Sequence, residues 1–402
     1  MKLLVVCQYY HPENFQVTPI CEQLAADGHD VTVLTGLPNY PEGTVPKEYR
    51  HGRRDEVING VRVIRTFEIG RGKNPFRLAL NYLSFCLSAC MRVGRLDPDF
   101  DAVFVYQLSP VFMGEPARRY AEKHGVPMLL YCCDLWPESI KMYIKGESGP
   151  VFRLVRRLSR RIYMAADRII VQSKSFFEYF KNTHGIPEER MRYLPAFADE
   201  SCLDMDLTPE GDTVDFVFLG NLGIAQNLLE VLAAVEMIKD IPGFKVHFVG
   251  EGTRLEDMKR FTAKHGLEDK VVFYGRRPAE EMPKFYKLAD ACLVSLKADN
   301  LTGRTIPAKV QGYMMAGKPV IGMIDGSARE VIETSGCGIC AAAGDVKGFA
   351  EAMRTFITDR ERFADCGRAA REYAKQNFRK ETFIRELEKE LKELKENENV
   401  SI

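Results

Sequence analysis

The stretch Arg304-Thr305-Ile306-Pro307-Ala308-Lys309, which runs on to Gly317-Lys318-Pro319-Val320-Ile321, sets a cation on either side of a proline. Pro307 presets φ for the first turn of a helix, Gly317 supplies the left-handed residue that ends it, and 320–323 reads as a buried strand. The first N–H groups of such a helix have no partner within it and carry partial positive charge. With Arg304 and Lys309 beside them they form a seat for a phosphate. Three strand ends offer related chemistry: Gly220-Asn221, Gly250-Glu251-Gly252 and Gly275-Arg276, where small residues let backbone N–H groups approach a ligand closely. A solitary GxG signals little beyond a tight turn. Three strand ends and the Pro307 helix converging on one sheet edge signal much more.

Carboxylates come next. Asp134-Leu135-Trp136-Pro137-Glu138 follows a predicted strand over 128–132, which puts both acids at that strand's carboxyl end. Asp134 is the candidate for a catalytic or acceptor-orienting group, with a helix N-cap as the structural alternative. His11, in the first loop, is a weaker candidate. Asp97-Pro98-Asp99, Asp99-Phe100-Asp101 and Asp204-Met205-Asp206 spell DxD, but the first two precede a strand and the third falls in a linker. A metal holding a diphosphate needs carboxylates at the carboxyl end of a strand, so neither a metal nor another cofactor is expected.

The elements that must position these residues alternate. Apolar runs at 2–7, 31–35, 102–106, 128–132 and 168–171 read as buried parallel strands with helices between them, and Asn59-Gly60 joins two short strands in a hairpin. A second series at 216–220, 245–250, 270–274, 291–295 and 320–323 repeats the pattern. The reading is an α/β chain of two facing, doubly wound, Rossmann-like domains, 1–198 and 212–377, joined by an irregular linker over 199–212. A C-terminal helix, 378–402, carries Phe383, Leu387, Leu391 and Leu394 on one stripe and is expected to pack back on the first domain. Clefts between domains are favoured ligand sites.

Composition fits that plan. The 402 residues are 46% hydrophobic and 28% charged, and Lys+Arg equal Asp+Glu at 56 each, so no global field draws the chain to nucleic acid. The eleven cysteines show no zinc spacing and read as reduced core residues of a cytoplasmic protein. The first apolar run is too short for a signal peptide, and no run is long enough to cross a bilayer. Two helices are unusual. Residues 75–95 are largely apolar. Over 151–162, Val151, Leu154, Val155, Leu158 and Ile162 share one stripe opposite five arginines with no acid among them, a pattern of helices on anionic membranes and equally of a core helix with a solvated face.

Gly28-His29-Asp30-Val31, Pro38-Asn39-Tyr40-Pro41-Glu42-Gly43, Gly220-Asn221, Val249-Gly250-Glu251-Gly252, Phe273-Tyr274-Gly275, Leu288-Ala289-Asp290, Ile306-Pro307-Ala308-Lys309 and Tyr313-Met314-Met315-Ala316-Gly317-Lys318-Pro319-Val320 together resemble the retaining glycosyltransferases of family 4, which have the GT-B fold. The likeness is strongest to the branch that builds bacterial surface polysaccharides, where Pro-Ser-Lys stands in place of Pro307-Ala308-Lys309. It implies a nucleotide-sugar donor, UDP-linked, bound by the second domain through Gly220, Asn221, Gly250, Gly252, Gly275, Arg276, Ile306, Pro307 and Lys309. It implies a glycan or lipid-linked acceptor on the first domain, hexosyl or N-acetylhexosaminyl transfer, and work at the cytoplasmic face of the membrane. A functional His or Asp of the family matches Asp134. The two family glutamates fall at Arg304 and Gly312, the diphosphate-binding cations after Gly-Asn are absent where Gln226 stands, and the usual glycine pair is missing from Tyr9-Tyr10-His11-Pro12-Glu13-Asn14. Arg304 and Lys309 are then the cations left to hold the diphosphate. Two other readings stay open: a nucleotide-sugar epimerase of the same plan, and a non-catalytic nucleotide-sugar-binding protein.

Overall fold

The computed structural model describes residues 1–142, 149–297 and 305–400, which form two compact units, 1–194 with 384–402 and 195–383. Arg304 lies outside the described residues.

The first unit is built on β1 (Lys2–Val6), α1 (Val17–Ala26), β2 (Asp30–Thr35), α2 (Lys47–Arg50), β3 (Asp55–Ile58), β4 (Val61–Arg65), α3 (Pro75–Val93), β5 (Ala102–Gln107), α4 (Glu115–His124), β6 (Met128–Cys132), α5 (Pro150–Ala165), β7 (Arg168–Val171), α6 (Ser175–Tyr179) and β8 (Met191–Tyr193). The strands run in the order β3-β4-β2-β1-β5-β6-β7-β8. All neighbours are parallel except β3 with β4, the expected hairpin, in which Ile58 faces Val61. Its two loop residues, Asn59 and Gly60, take φ of 48° and 83°, the left-handed pair that a two-residue turn of this hand needs. The central strands are fully buried, as continuous apolar runs covered on both faces must be.

The second unit contains β9 (Val214–Leu219), α7 (Leu228–Met237), β10 (Phe244–Val249), α8 (Leu255–His265), β11 (Val271–Gly275), α9 (Met282–Leu288), β12 (Ala291–Ser295), α10 (Ala308–Met315), β13 (Val320–Met323), α11 (Gly326–Thr334), β14 (Gly338–Ala341), α12 (Val346–Thr358) and α13 (Cys366–Asn377). Its six parallel strands follow β11-β10-β9-β12-β13-β14. One core layer packs α7 and α12 on the sheet, and a second packs α10 and α13 on the opposite face. Residues 199–212 are no free linker: Ala198 and Leu203 enter the second layer, and Cys202 and Leu207 are buried beside Ala316. These few apolar side chains, set among acids, dock the segment on the second unit.

α14 (Lys380–Val400) closes the first unit as expected. Leu387 and Leu391 are fully buried, flanked by a hydrogen bond between His29 and Glu388 at 3.0 Å and by ion pairs Arg168–Glu390 at 3.2 Å and Lys395–Asp101 at 2.7 Å.

The two unusual helices lie on the same side of the first sheet, each packed on α4 and the turn before it. On α5 the single predicted stripe divides. Phe152, Val155 and Ile162 face the core, while Val151, Leu154 and Leu158 remain exposed among Arg153, Arg156, Arg157, Arg160 and Arg161. On α3 Phe85, Ala89 and Val93 are buried, and Phe76, Leu83, Leu87 and Met91 are exposed. Among the described residues no helix is long and apolar enough to cross a membrane.

Candidate active site

β9, β10 and β11 end in glycines with positive φ: 121° at Gly220, 149° at Gly250 and 69° at Gly275. Gly250 is required by close approach as well. A Cβ on Gly250 would lie 1.9 Å from the Gly220 carbonyl oxygen, and one on Gly252 would lie 2.4 Å from that of Leu222. The loops lock through backbone bonds, Leu222 N–H to Glu251 O at 2.8 Å and Gly250 N–H to Gly275 O at 2.9 Å. Between them opens a cavity of about 320 Å³ lined by Gly220, Asn221, Val249, Gly250, Glu251, Arg276, Arg277 and Met282. A larger cavity of about 570 Å³ lies in the same unit at the opposite strand ends, beside Asp290 and Lys318, away from these loops.

α10 brings Lys309 to the same edge. Pro307 is its N-cap and Gly317, with φ of 67°, follows its end. Tyr313, one turn after Lys309, fixes the helix against β9: its hydroxyl accepts the Leu219 N–H at 2.9 Å. Lys309 therefore lies over the end of β9, with Nζ 3.7 Å from the centroid of the Phe218 ring and donating to Gln226 Oε1 at 2.8 Å. A Cβ on Gly220 would touch Nζ at 3.6 Å. Burial of the ammonium lowers its pKa to about 7. A cation held over an aromatic face and short of water is poised to gain from an anion.

The cavity thus gathers Gly220, Asn221, Gly250 and Arg276 from the sequence-predicted set, with Gly252 and Gly275 shaping the backbone around it. Lys309 stands beside Gly220. Ile306 differs: its side chain enters the hydrophobic core, leaving only its backbone for a ligand. At Gly312, the position of the second family glutamate, a Cβ would meet the Tyr286 hydroxyl at 3.0 Å. Phe218, Gln226, Tyr313, Arg277 and Met282 are given no role at the site by the sequence reading. Only the spacing of Lys309 and Tyr313, one helical turn, could have flagged any of them.

Asp134 belongs to the first unit, at the carboxyl end of β6. It caps no helix. Its Oδ2 accepts the Ser109 hydroxyl at 2.7 Å, and Ser109 Oγ in turn accepts Trp136 Nε1–H at 3.0 Å. Burial raises the Asp134 pKa, and the Ser109 hydrogen bond partly offsets that. His11 is exposed, and it is its carbonyl that is engaged, by Arg65 Nη2 at 2.6 Å. Three of the DxD acids are occupied elsewhere: Asp99 pairs with Lys2 and Asp101 with Lys395, each at 2.7 Å, and Asp206 accepts the Thr208 hydroxyl.

Two family models divide the chain between them. Residues 14–196 match the one described as glycosyl transferase 4-like domain, and residues 205–373 the one described as glycosyl transferases group 1. The chain belongs to the family 4 glycosyltransferases. It is 22% identical to WcaI of Escherichia coli K12, named for colanic acid biosynthesis, over 96% of this chain and 98% of that one. It is 24% identical to the glycogen synthase of Mycobacterium tuberculosis over 94% and 91%. The glycosyltransferase WbjE of Pseudomonas aeruginosa is 27% identical, with 57% of this chain matched to 58% of that protein. Among solved structures, HepE of Anabaena, in complex with UDP, superposes with a TM-score of 0.71 at 15% identity over 98% of this chain and 100% of that one. The lipopolysaccharide glycosyltransferase WaaG superposes at 0.62 with 14% identity over 93% and 95%. The fold is GT-B.

Proposed function

We propose that this glycosyltransferase moves a sugar, with retention of configuration, from a UDP-linked donor onto a surface polysaccharide or lipid-linked glycan. The observation that carries the donor reading is Lys309: a half-buried ammonium, short of water, set over the glycine loops of β9 and β10. A diphosphate seated there would meet that ammonium, the N-terminus of α10 and Arg276. Each hydrogen bond to a charged group contributes about 1.5–3 kcal/mol. Protein cations would then do without a metal what a metal does elsewhere. UDP as the nucleotide draws support from the complex of HepE, and surface glycan as the product from the names of WcaI and WaaG.

In the reaction the bond from the sugar C1 to the β-phosphate oxygen breaks, the acceptor oxygen bonds to C1 on the same face, and the acceptor proton passes to the leaving phosphate. Lys309 and Arg276 would bear the charge that develops on that phosphate. Asp134 would orient the acceptor hydroxyl. The exposed arginines and leucines of α5, on the same sheet face as α3, would rest on an anionic membrane at its cytoplasmic side.

Thermal-shift titration with UDP, GDP and ADP tests the donor. UDP should raise the melting temperature in the presence of EDTA, and Lys309→Ala should abolish most of that rise. Normal UDP affinity in Lys309→Ala would overturn the assignment.

A further inference from the structure

The cavity of about 570 Å³ lies at the amino ends of β12 and β13, whereas Lys309 and the glycine loops lie at carboxyl ends. α10 joins the two places. Lys309 is in its first turn, and Gly317, in the cavity wall, follows eight residues later, about 12 Å along the helix at 1.5 Å per residue. One phosphate cannot reach both.

Five cations and three carboxylates line the cavity. The carboxylates all have partners: Asp290 is held by Arg360, Glu372 lies 3.8 Å from Arg368, and Asp206 accepts the N–H and hydroxyl of Thr208 at 3.0 and 2.7 Å. Among the described residues no carboxylate pairs with Lys318, Arg371 or Lys375. Lys318, only 3% exposed, donates to the carbonyls of Leu207 at 2.5 Å and Ala289 at 2.8 Å, which leaves one of its three hydrogens unused. Burial lowers its pKa to about 8. The Arg371 guanidinium reaches only the carbonyls of Met205 and Ala316, at 3.3 and 3.2 Å, long for a charged donor, and its buried Nε has no partner. Lys375 stands one turn further along α13, exposed.

A buried ammonium and a guanidinium with no counter-charge are costly to keep, and each gains when an anion arrives. The rest of the wall is carbon, from Leu207, Pro209, Pro319, Phe356 and Phe363. The volume falls within the range of about 300–1,000 Å³ usual for small-molecule sites, far more than a bare phosphate fills.

We propose that this cavity is a second ligand site, apart from the donor's, and that it binds a small organic phosphomonoester of about the size of a sugar phosphate. The phosphate would lie among Lys318, Arg371 and Lys375, where its three oxygens and charge of about −2 match three uncompensated cations. The carbon skeleton would lie along Leu207, Pro209 and Phe363.

Mannose 6-phosphate is the probe for calorimetric titration of the full chain, with mannose and inorganic phosphate as comparisons. It should bind with a Kd below about 1 mM, and at least about tenfold more tightly than either comparison, since each lacks one of the two features the cavity reads. Arg371→Ala and Lys375→Glu should each weaken it by about tenfold while UDP affinity stays unchanged. Lys375 is exposed, so its variant decides the matter if Arg371→Ala fails to fold. Lys309→Ala should leave the affinity for mannose 6-phosphate as it was. No binding, inorganic phosphate binding equally tightly, or full affinity in Lys375→Glu or in a folded Arg371→Ala would overturn the proposal. So would loss of binding in Lys309→Ala or displacement by UDP, because the probe would then sit in the donor cavity. Failure of UDP itself to bind would count against the donor reading alone, and the Arg371 and Lys375 variants would still decide this one.

Discussion

Lys309 ties nucleotide affinity to pH. With the site empty its pKa is lowered to about 7, and a diphosphate beside it favours the ammonium and raises that value. Below pH 7 the charge is already present and affinity stands at its plateau. Above it the ligand must recruit a proton, so affinity should fall by up to tenfold per pH unit until the pKa of the complex is reached. Titration calorimetry in buffers of different ionisation enthalpy should show proton uptake at pH 8 that Lys309→Ala abolishes. Gly250→Ala drives a methyl into the Gly220 carbonyl, and should cost more than about 2 kcal/mol in denaturant unfolding together with the UDP response. Ser109→Ala removes a hydrogen bond that lowers the Asp134 pKa, so if the ionised Asp134 acts in transfer, the acidic limb of the pH–rate profile should move to higher pH. Pro307 and Lys309 could be read from the sequence because helix signals are local. Gln226 and Phe218 could not, because the bond from Lys309 to Gln226 spans 83 residues and depends on two loops meeting.

Elements were legible where periodicity was long and illegible where pairing decides. Every strand with a run of buried apolar residues was found within two residues of its bounds, and Asn59-Gly60 identified its hairpin. β8 and β14 were missed. Met191-Arg192-Tyr193 and Gly338-Ile339-Cys340-Ala341 are short edge strands with no alternation, and only their ladders with β7 and β13 make them strands. On α5 the periodicity found the apolar positions but could not say which of them the sheet would cover. α14 gives the sharpest test of packing at this scale. Leu391→Ala removes a fully buried side chain from the junction of the helix with the first unit and should cost about 2–5 kcal/mol in chemical unfolding.

For the whole molecule, equal numbers of acidic and basic residues hide a local asymmetry, with five exposed arginines recurring about once per turn along α5 and no acid between them. Arg153→Glu/Arg157→Glu should reduce flotation with anionic vesicles by about 1 kcal/mol or more per side chain, and the loss should shrink as salt is raised. Full flotation of that variant would remove the membrane contact. The first unit has a further property that follows from how its chain is ordered. Its sheet is made from residues 1–194, yet the helix that seals it arrives with 384–400, after all of the second unit. On the ribosome the second unit is therefore complete before the first can be. Loss of residues 384–400 would therefore strike the unit whose sheet precedes the second unit in the chain, and a nascent chain halted before them would carry an unsealed apolar surface to whatever chaperone meets it.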